Sequence, residues 1–270
     1  MLHLWPDQIL VSLGAEHIEV MYRNGLNKHV LQQREVAVGN TLIKDWSSAI
    51  QQLDKVLSEI KPTEKTHLYI TLTSDLVRFI ILQPQSMLIS NAEKQAYAKA
   101  TYQEIYGSVS ADWVIKCHPV APQHSTVCAA IDQNLLNSIE GLAIKYKLSL
   151  KSVQPYLMTV FNRISHQLKK SNNLLAVVEF NQIVIVNISN GQFLQIRNIK
   201  VSDNWQNTLE ETLAREKLLG NVGSDHVMIY APTHKNSKMQ PMQGWHLKQL
   251  NIAKNKTGKA RPTAMLEVLA

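Results

Sequence analysis

The sequence is poor in most of what would mark a membrane-spanning chain, a secreted chain or a hydrolase. No apolar run approaches the ~18 residues needed to cross a bilayer. The opening MLHLWPDQ lacks the basic flank and long apolar segment of a secretory signal. The chain is therefore expected in the cytoplasm. Only two cysteines occur, Cys117 and Cys128, both in strand-like runs, and buried free thiols in a reducing compartment are the expected state. A serine hydrolase needs its nucleophile on a Gly-x-Ser-x-Gly elbow, and no such run exists. The nearest text to a Walker loop, Gly258-Lys259, is followed by Ala260 and has Ala253 in place of the first glycine, so the backbone cradle for phosphate is missing.

Ten histidines are present, but none pairs with another at helical spacing. The compact ligand set is Cys117, His118, His124 and Cys128, which suits zinc in type. The same segment, with Pro119, Pro122 and alternating valines, reads as a plain strand, turn and strand. Arg78, Arg163 and Arg197 are isolated cations of the kind that serve ion pairs. The net charge of +7 admits nucleic acid, anionic lipid or an acidic partner. Its only concentration is Lys254, Lys256, Lys259 and Arg261, in a segment that also reads as a solvated loop. With no basic helix interleaved with aromatics, no nucleic-acid partner is expected.

What the chain has is 45% hydrophobic residues, enough to bury real cores, and one strongly patterned stretch. Leu174 to Ile199, LLAVVEFNQIVIVNISNGQFLQIRNI, reads as three consecutive strands, the last two joined by the turn pair Asn190-Gly191. The N-terminus repeats the plan, with strands from Ile9 to Leu13, Ile18 to Tyr22 and Val30 to Val38, and Asn24-Gly25 as the turn. Placing one Asn-Gly on the other gives an offset of 190 − 24 = 166, which sets Val11 on Val177 and Ile18 on Val184. A meander duplicated about half a chain apart points to two related lobes rather than a repeat array.

Between the meanders, Thr41 can cap a helix with a buried stripe of Trp46, Ile50, Leu53, Leu57 and Ile60. His67 to Leu72 and Leu76 to Leu82 read as a strand pair. Ser90-Asn-Ala-Glu93 is a capping box opening a helix to about Tyr106, which Gly107 stops. Asp112 to Val120 and Ser125 to Ile131 form another strand pair around Ala121-Pro122, and helices follow with Leu135, Leu136, Ile139, Leu142 and Ala143 and from Tyr156 to Leu168. The polar residues 169–173 are the expected hinge, dividing a first lobe of residues 1–170, with an inserted α+β subdomain, from a smaller second lobe of residues 171–270. Beyond the second meander, Asn204 or Asp203 can start a helix, Val227 to Tyr230 is a short strand, Pro241 to Leu250 is expected helical, and Pro262 opens a terminal helix. Strands and helices mix along the chain, hence α/β or α+β.

This layout resembles the two-lobed actin-like ATPase fold of the ribonuclease H-like class. Within it, the chain resembles the PilM-type proteins of type IV pilus assembly and the related GspL cytoplasmic domains of type II secretion. The resemblance runs in order through LGAEHIEVMYRNG (Leu13 to Gly25), RFIILQP (Arg78 to Pro84), GSVSADWVIKCHPV (Gly107 to Val120), the second meander ending NGQFLQIRNI, and the closing PTAMLEVLA.

ATP-binding members of the fold begin each meander with Asp-x-Gly, the carboxylate holding a metal-bound water and the glycine admitting phosphate to the backbone. Here Ser12 stands at the first aspartate position with Gly14 retained, followed by Ala15, Glu16 and His17. At the second, Val178 and Phe180 stand at the aspartate and glycine positions, with the Glu179 carboxylate available if the register slips by one. The glycine pair that would receive adenosine is replaced by VMIYAPTHKN.

The resemblance thus implies a degenerate nucleotide cleft of Ser12, Gly14, Glu179, Phe180 and Asn181, with no catalysis, cofactor or metal. It implies a cytoplasmic scaffold, peripheral at the inner membrane, docking the cytoplasmic N-terminal tail of a PilN-like membrane protein. The competing expectation is a divergent nucleotide-binding ATPase or kinase that uses Glu179 and Gly14.

Overall fold

The structure is a computed structural model and describes residues 5–39, 46–84, 90–118, 124–168, 173–201, 204–220, 224–235, 237–251 and 264–269. Thr41, the Ala121-Pro122 turn, residues 169–172, Asp203, the basic segment from Lys254 to Arg261 and Pro262 lie outside that set. The chain forms two compact units from interleaved segments: Met1–Leu76, Gln133–Arg163 and Ile252–Ala270 in one, Val77–Asp132 and Ile164–Asn251 in the other.

In the first unit, β1 (Gln8–Leu13), β2 (His17–Arg23) and β3 (Val30–Ala37) form the expected antiparallel meander. β4 (His67–Leu72) adds to β1 in parallel, and β8 (Ser149–Pro155) adds to β4, giving the order β3-β2-β1-β4-β8. Parallel neighbours need crossovers, and helices α1 (Trp46–Ile60) and α3 (Gln133–Lys145) supply the cover. α1 buries Ala49, Leu53, Val56, Leu57 and Ile60, the stripe expected from its spacing except that Trp46 and Ile50 are only half-buried. The two helices are tied by Asp54, whose carboxylate accepts from Lys145 Nζ at 2.7 Å and from Tyr146 Oη at 2.7 Å. Leu266, in a short 3-10 turn (Ala264–Val268) where a terminal helix was expected, packs on Leu10 and Met21.

The second unit holds the same plan. β9 (Asn173–Val178), β10 (Gln182–Ser189) and β11 (Gln192–Lys200) are antiparallel, and β12 (His226–Tyr230) and β13 (His246–Gln249) follow in parallel, giving β11-β10-β9-β12-β13. Helix α5 (Trp205–Leu218) buries Trp205, Leu209 and Leu213 against Ala176, Ile185 and Ile229 of this sheet. Asn204 caps it, its Oδ1 accepting from Gln206 N–H at 2.8 Å. Helix α4 (Tyr156–Leu168) bridges the segments assigned to the two units.

A three-stranded sheet of β5 (Arg78–Leu82), β6 (Trp113–Cys117) and β7 (Thr126–Asp132), in the order β5-β7-β6, completes the second unit with helix α2 (Asn91–Tyr106). The capping box forms: Glu93 N–H donates to Ser90 Oγ at 3.1 Å while Ser90 N–H donates to Glu93 Oε2 at 2.8 Å. Buried Tyr102 on α2 donates from its hydroxyl to the Arg78 carbonyl, 2.8 Å, or to that of Cys128, 2.9 Å.

The two units interleave along the chain: Val77–Asp132 groups with the second and Ile252–Ala270 with the first, where Met265 N–H donates to Glu19 Oε2. Several expectations are corrected. β4 and β5 do not pair; β4 is captured by β1, and β5 by β7. A strand, β8, was missed because Ser149–Pro155 mixes serine, lysine and glutamine at a sheet edge. Pro241 to Leu250 carries β13 rather than a helix, since pairing with β12 outweighs local propensity.

The cysteines are not free thiols. Cys117 and Cys128 are direct cross-strand partners with Cα atoms 4.0 Å apart and form a disulfide. At this non-hydrogen-bonded pair the side chains approach most closely, and the bond removes both thiolates from the Cys/His zinc set.

The duplication is real in topology, but its register differs from the Asn-Gly alignment. Leu13 pairs with Ile18 and Val178 with Ile183, so 178 − 13 and 183 − 18 both give an offset of 165. The reason lies in the turns. Asn190 and Gly191 make a tight turn with φ of 51° and 77°, whereas residues 24–29 close through Asn24 N–H to the His29 carbonyl at 2.9 Å. Gly25 serves close approach instead of positive φ: a Cβ there would lie 2.2 Å from the Pro6 carbonyl oxygen.

Candidate functional site

The turn between β1 and β2 carries Ser12 and Gly14. Ser12 is buried on β1, opposite Glu19 of β2 and Thr71 of β4. Gly14 N–H donates to the His17 carbonyl at 3.0 Å, closing the hairpin. A Cβ on Gly14 would meet Thr73 Oγ1 at 2.5 Å and the His17 carbonyl at 3.2 Å, so packing against β4's end requires glycine here. Thr73 is fixed in turn, its N–H donating to the Leu13 carbonyl at 2.9 Å and its single hydroxyl proton going either to that carbonyl, 3.2 Å away, or to the nearer Asp75 carboxylate.

Ala15 N–H donates to Asp75 Oδ2 at 2.9 Å, and the other oxygen of Asp75 bonds the Thr73 hydroxyl. A carboxylate of the chain itself therefore sits on the turn whose N–H groups the actin-like resemblance assigns to phosphate. Two of those donors, Gly14 and Ala15, already have acceptors. Glu16 follows in the same turn, and Glu19 lies across from Ser12 on β2, so three carboxylates belong to this end of the hairpin. Sequence reasoning named Ser12 and Gly14 but missed Asp75, which lies 60 residues from Ala15 and carries no motif.

Glu179, Phe180 and Asn181 share the matching turn of the second unit. Glu179 N–H donates to the Gln182 carbonyl at 2.9 Å, and Gln182 Nε2 donates to Glu179 Oε2 at 2.7 Å. The Glu179 carboxylate is buried in this local pair, while Phe180 is 48% exposed. Asn181 contributes its carbonyl to Val201 N–H at 2.8 Å. The observed offset sets Gly14 on Glu179 and Ser12 on Val177, so the slip by one moves Glu179 to the glycine position and leaves valine at the aspartate position.

After β12 the chain enters a 3-10 turn, Pro232–His234, with Pro232 buried and the His234 ring stacked on Trp205 at 5.5 Å. Burial lowers the pKa of His234 below its ordinary value. Side chains of the second unit fill the segment where the resemblance expects a glycine pair.

The duplicated order of two antiparallel strand pairs followed by parallel strands, one per unit, decides the fold. It is an actin-like fold of the PilM and GspL kind. Solved structures bear this out. The PilM-PilN type IV pilus biogenesis complex is 12% identical over 91% of this chain and 88% of that chain, with a TM-score of 0.63. The cytoplasmic domain of EpsL, an inner-membrane component of the type II secretion system of Vibrio cholerae, is 12% identical over 97% and 92%, with a TM-score of 0.56. A Bacteroides thetaiotaomicron protein with an actin-like ATPase fold is 14% identical over 83% and 80%, with a TM-score of 0.53. No protein-family model matches the sequence, and no curated protein matches it. What resembles PilM and the EpsL cytoplasmic domain here is the order of strands and helices.

Proposed function

We propose that this PilM- and GspL-like chain is a non-catalytic scaffold at the cytoplasmic face of the inner-membrane platform of a type IV pilus or type II secretion-like system. It docks the cytoplasmic N-terminal tail of a PilN-like membrane protein as an extended peptide, drawing affinity from backbone pairing and specificity from side-chain pockets. Its place at the membrane comes through that partner; among the described residues, no helix is long and apolar enough to cross a membrane.

The observation that carries the non-catalytic part is the Asp75 carboxylate on Ala15 N–H. Triphosphate recognition depends on metal and on free backbone donors. Removing three such charge-assisted contacts, at about 1–3 kcal/mol each, weakens a micromolar site to roughly millimolar or beyond. Calorimetry with Mg-ATP on the full chain is the test, with no saturable heat expected. Saturable binding at about tens of micromolar, with turnover abolished in Glu179→Ala, would establish the ATPase alternative. For docking, co-purification from the native cell is expected to yield a membrane platform protein, and recovery of a nucleic acid in its place would overturn the scaffold reading.

A further inference from the structure

We propose that His17, Glu19 and Glu35 form a zinc-binding site on the β2–β3 hairpin of the first unit. Glu19 and Glu35 are direct cross-strand partners, which sets two carboxylates opposite each other on one face. Like charges in that relation are destabilising. Here the strain is greater, because Glu19 is only 1% exposed and a buried carboxylate demands a compensating cation.

His17 lies two residues before Glu19 on the same strand, hence on the same face. Its Nε2 is 3.3 Å from Glu35 Oε1 and 3.7 Å from Glu19 Oε1. One ligand atom from each of the three residues lies within 4.8 Å of the others. A tetrahedral ion with bonds of about 2.0–2.2 Å holds its ligand atoms roughly 3.3–3.6 Å apart, so small side-chain adjustments close the site.

The donor set selects the metal. An imidazole with two carboxylates suits zinc, whereas calcium and magnesium take oxygen ligands. The supporting contacts fit as well. Met265 N–H donates to Glu19 Oε2 at 3.0 Å, which fixes one oxygen and leaves Oε1 to bind in monodentate fashion. Glu35 is 58% exposed, so the ion has an entry path and water can complete its coordination. The bound ion joins β2 to β3 and, through Glu19, to the chain end. This inference is independent of the scaffold reading.

The test is a competition titration of the full chain, freed of metal, with zinc and a chromophoric chelator. The expected result is one saturable zinc per chain and a zinc-dependent rise in melting temperature. Glu35→Gln, at a half-exposed position that leaves the fold intact, and His17→Ala are each expected to weaken binding by about tenfold or more. The doubly substituted His226→Ala/His246→Ala chain, which removes the stacked surface pair, is expected to bind as the parent does. Absence of saturable binding, or binding that survives Glu35→Gln and is lost with His226 and His246, overturns the proposal.

Discussion

The Asp75 carboxylate and the Ala15 amide, 2.9 Å apart, close the first turn of the meander from within. Gly14, between that turn and Thr73, is the tightest point of the arrangement, with a Cβ placed 2.5 Å from Thr73 Oγ1. Gly14→Ala is expected to destabilise the chain by about 1–3 kcal/mol, in the range of an overpacked core position. Combined with Thr73→Ala, its cost should fall below the sum of the single costs, because the obstructing hydroxyl is gone. Urea denaturation of the four chains of this cycle gives the coupling directly.

The Arg197 and Glu216 pair presents a buried-charge problem in the second unit. Arg197 Nε lies 3.0 Å from Glu216 Oε1, and Glu216 is nearly fully buried. Arg197→Ala should cost about 1–3 kcal/mol, since the buried carboxylate loses the opposite charge beside it. Arg197→Met with Glu216→Gln should recover part of that loss, because no buried charge is then left to compensate. Denaturant midpoints report the outcome.

Reduction of Cys117–Cys128 opens a loop spanning a sequence separation of 11. Loop-closure entropy for so short a loop predicts a loss of about 2–3 kcal/mol, read as the shift in urea midpoint between oxidised and reduced protein. The redox state of this pair in cells tests the cytoplasmic reading. A reducing compartment opposes it, so rapid alkylation of intact cells is expected to trap two thiols if the scaffold reading holds, and a protected disulfide would point to an oxidising side.

His234 gives the chain a defined pH dependence. Burial beside Trp205 lowers its pKa from the ordinary 6.5, so folding favours the neutral ring. The sign follows: the contribution is complete above the unfolded value and is lost as the pH falls below it, because the unfolded chain then binds the proton more readily. The effect is small, since the ring is only half-buried. Comparing urea midpoints near about pH 7.5 and about pH 5.5, His234→Phe should keep the ring contact with Trp205 and lose this part of the pH slope.

The sequence alone determined the elements whose information is local. Short continuous apolar runs and their turn pairs fixed both meanders, the Ser90 to Glu93 spacing fixed the start of α2, and the retained Gly14 marked the turn. Periodicity and capping are properties of neighbouring residues, so they survive without any tertiary context. The tertiary structure decided what depends on partners distant in sequence. Which sheet receives β5, whether residues 246–249 become a strand, and which carboxylate closes the first turn are set by pairing across tens of residues. The one-residue difference between offsets 166 and 165 has the same origin. An Asn-Gly pair signals a turn, but strand register is set by the hydrogen-bond ladder and the buried face, and those exist only once the strands have met.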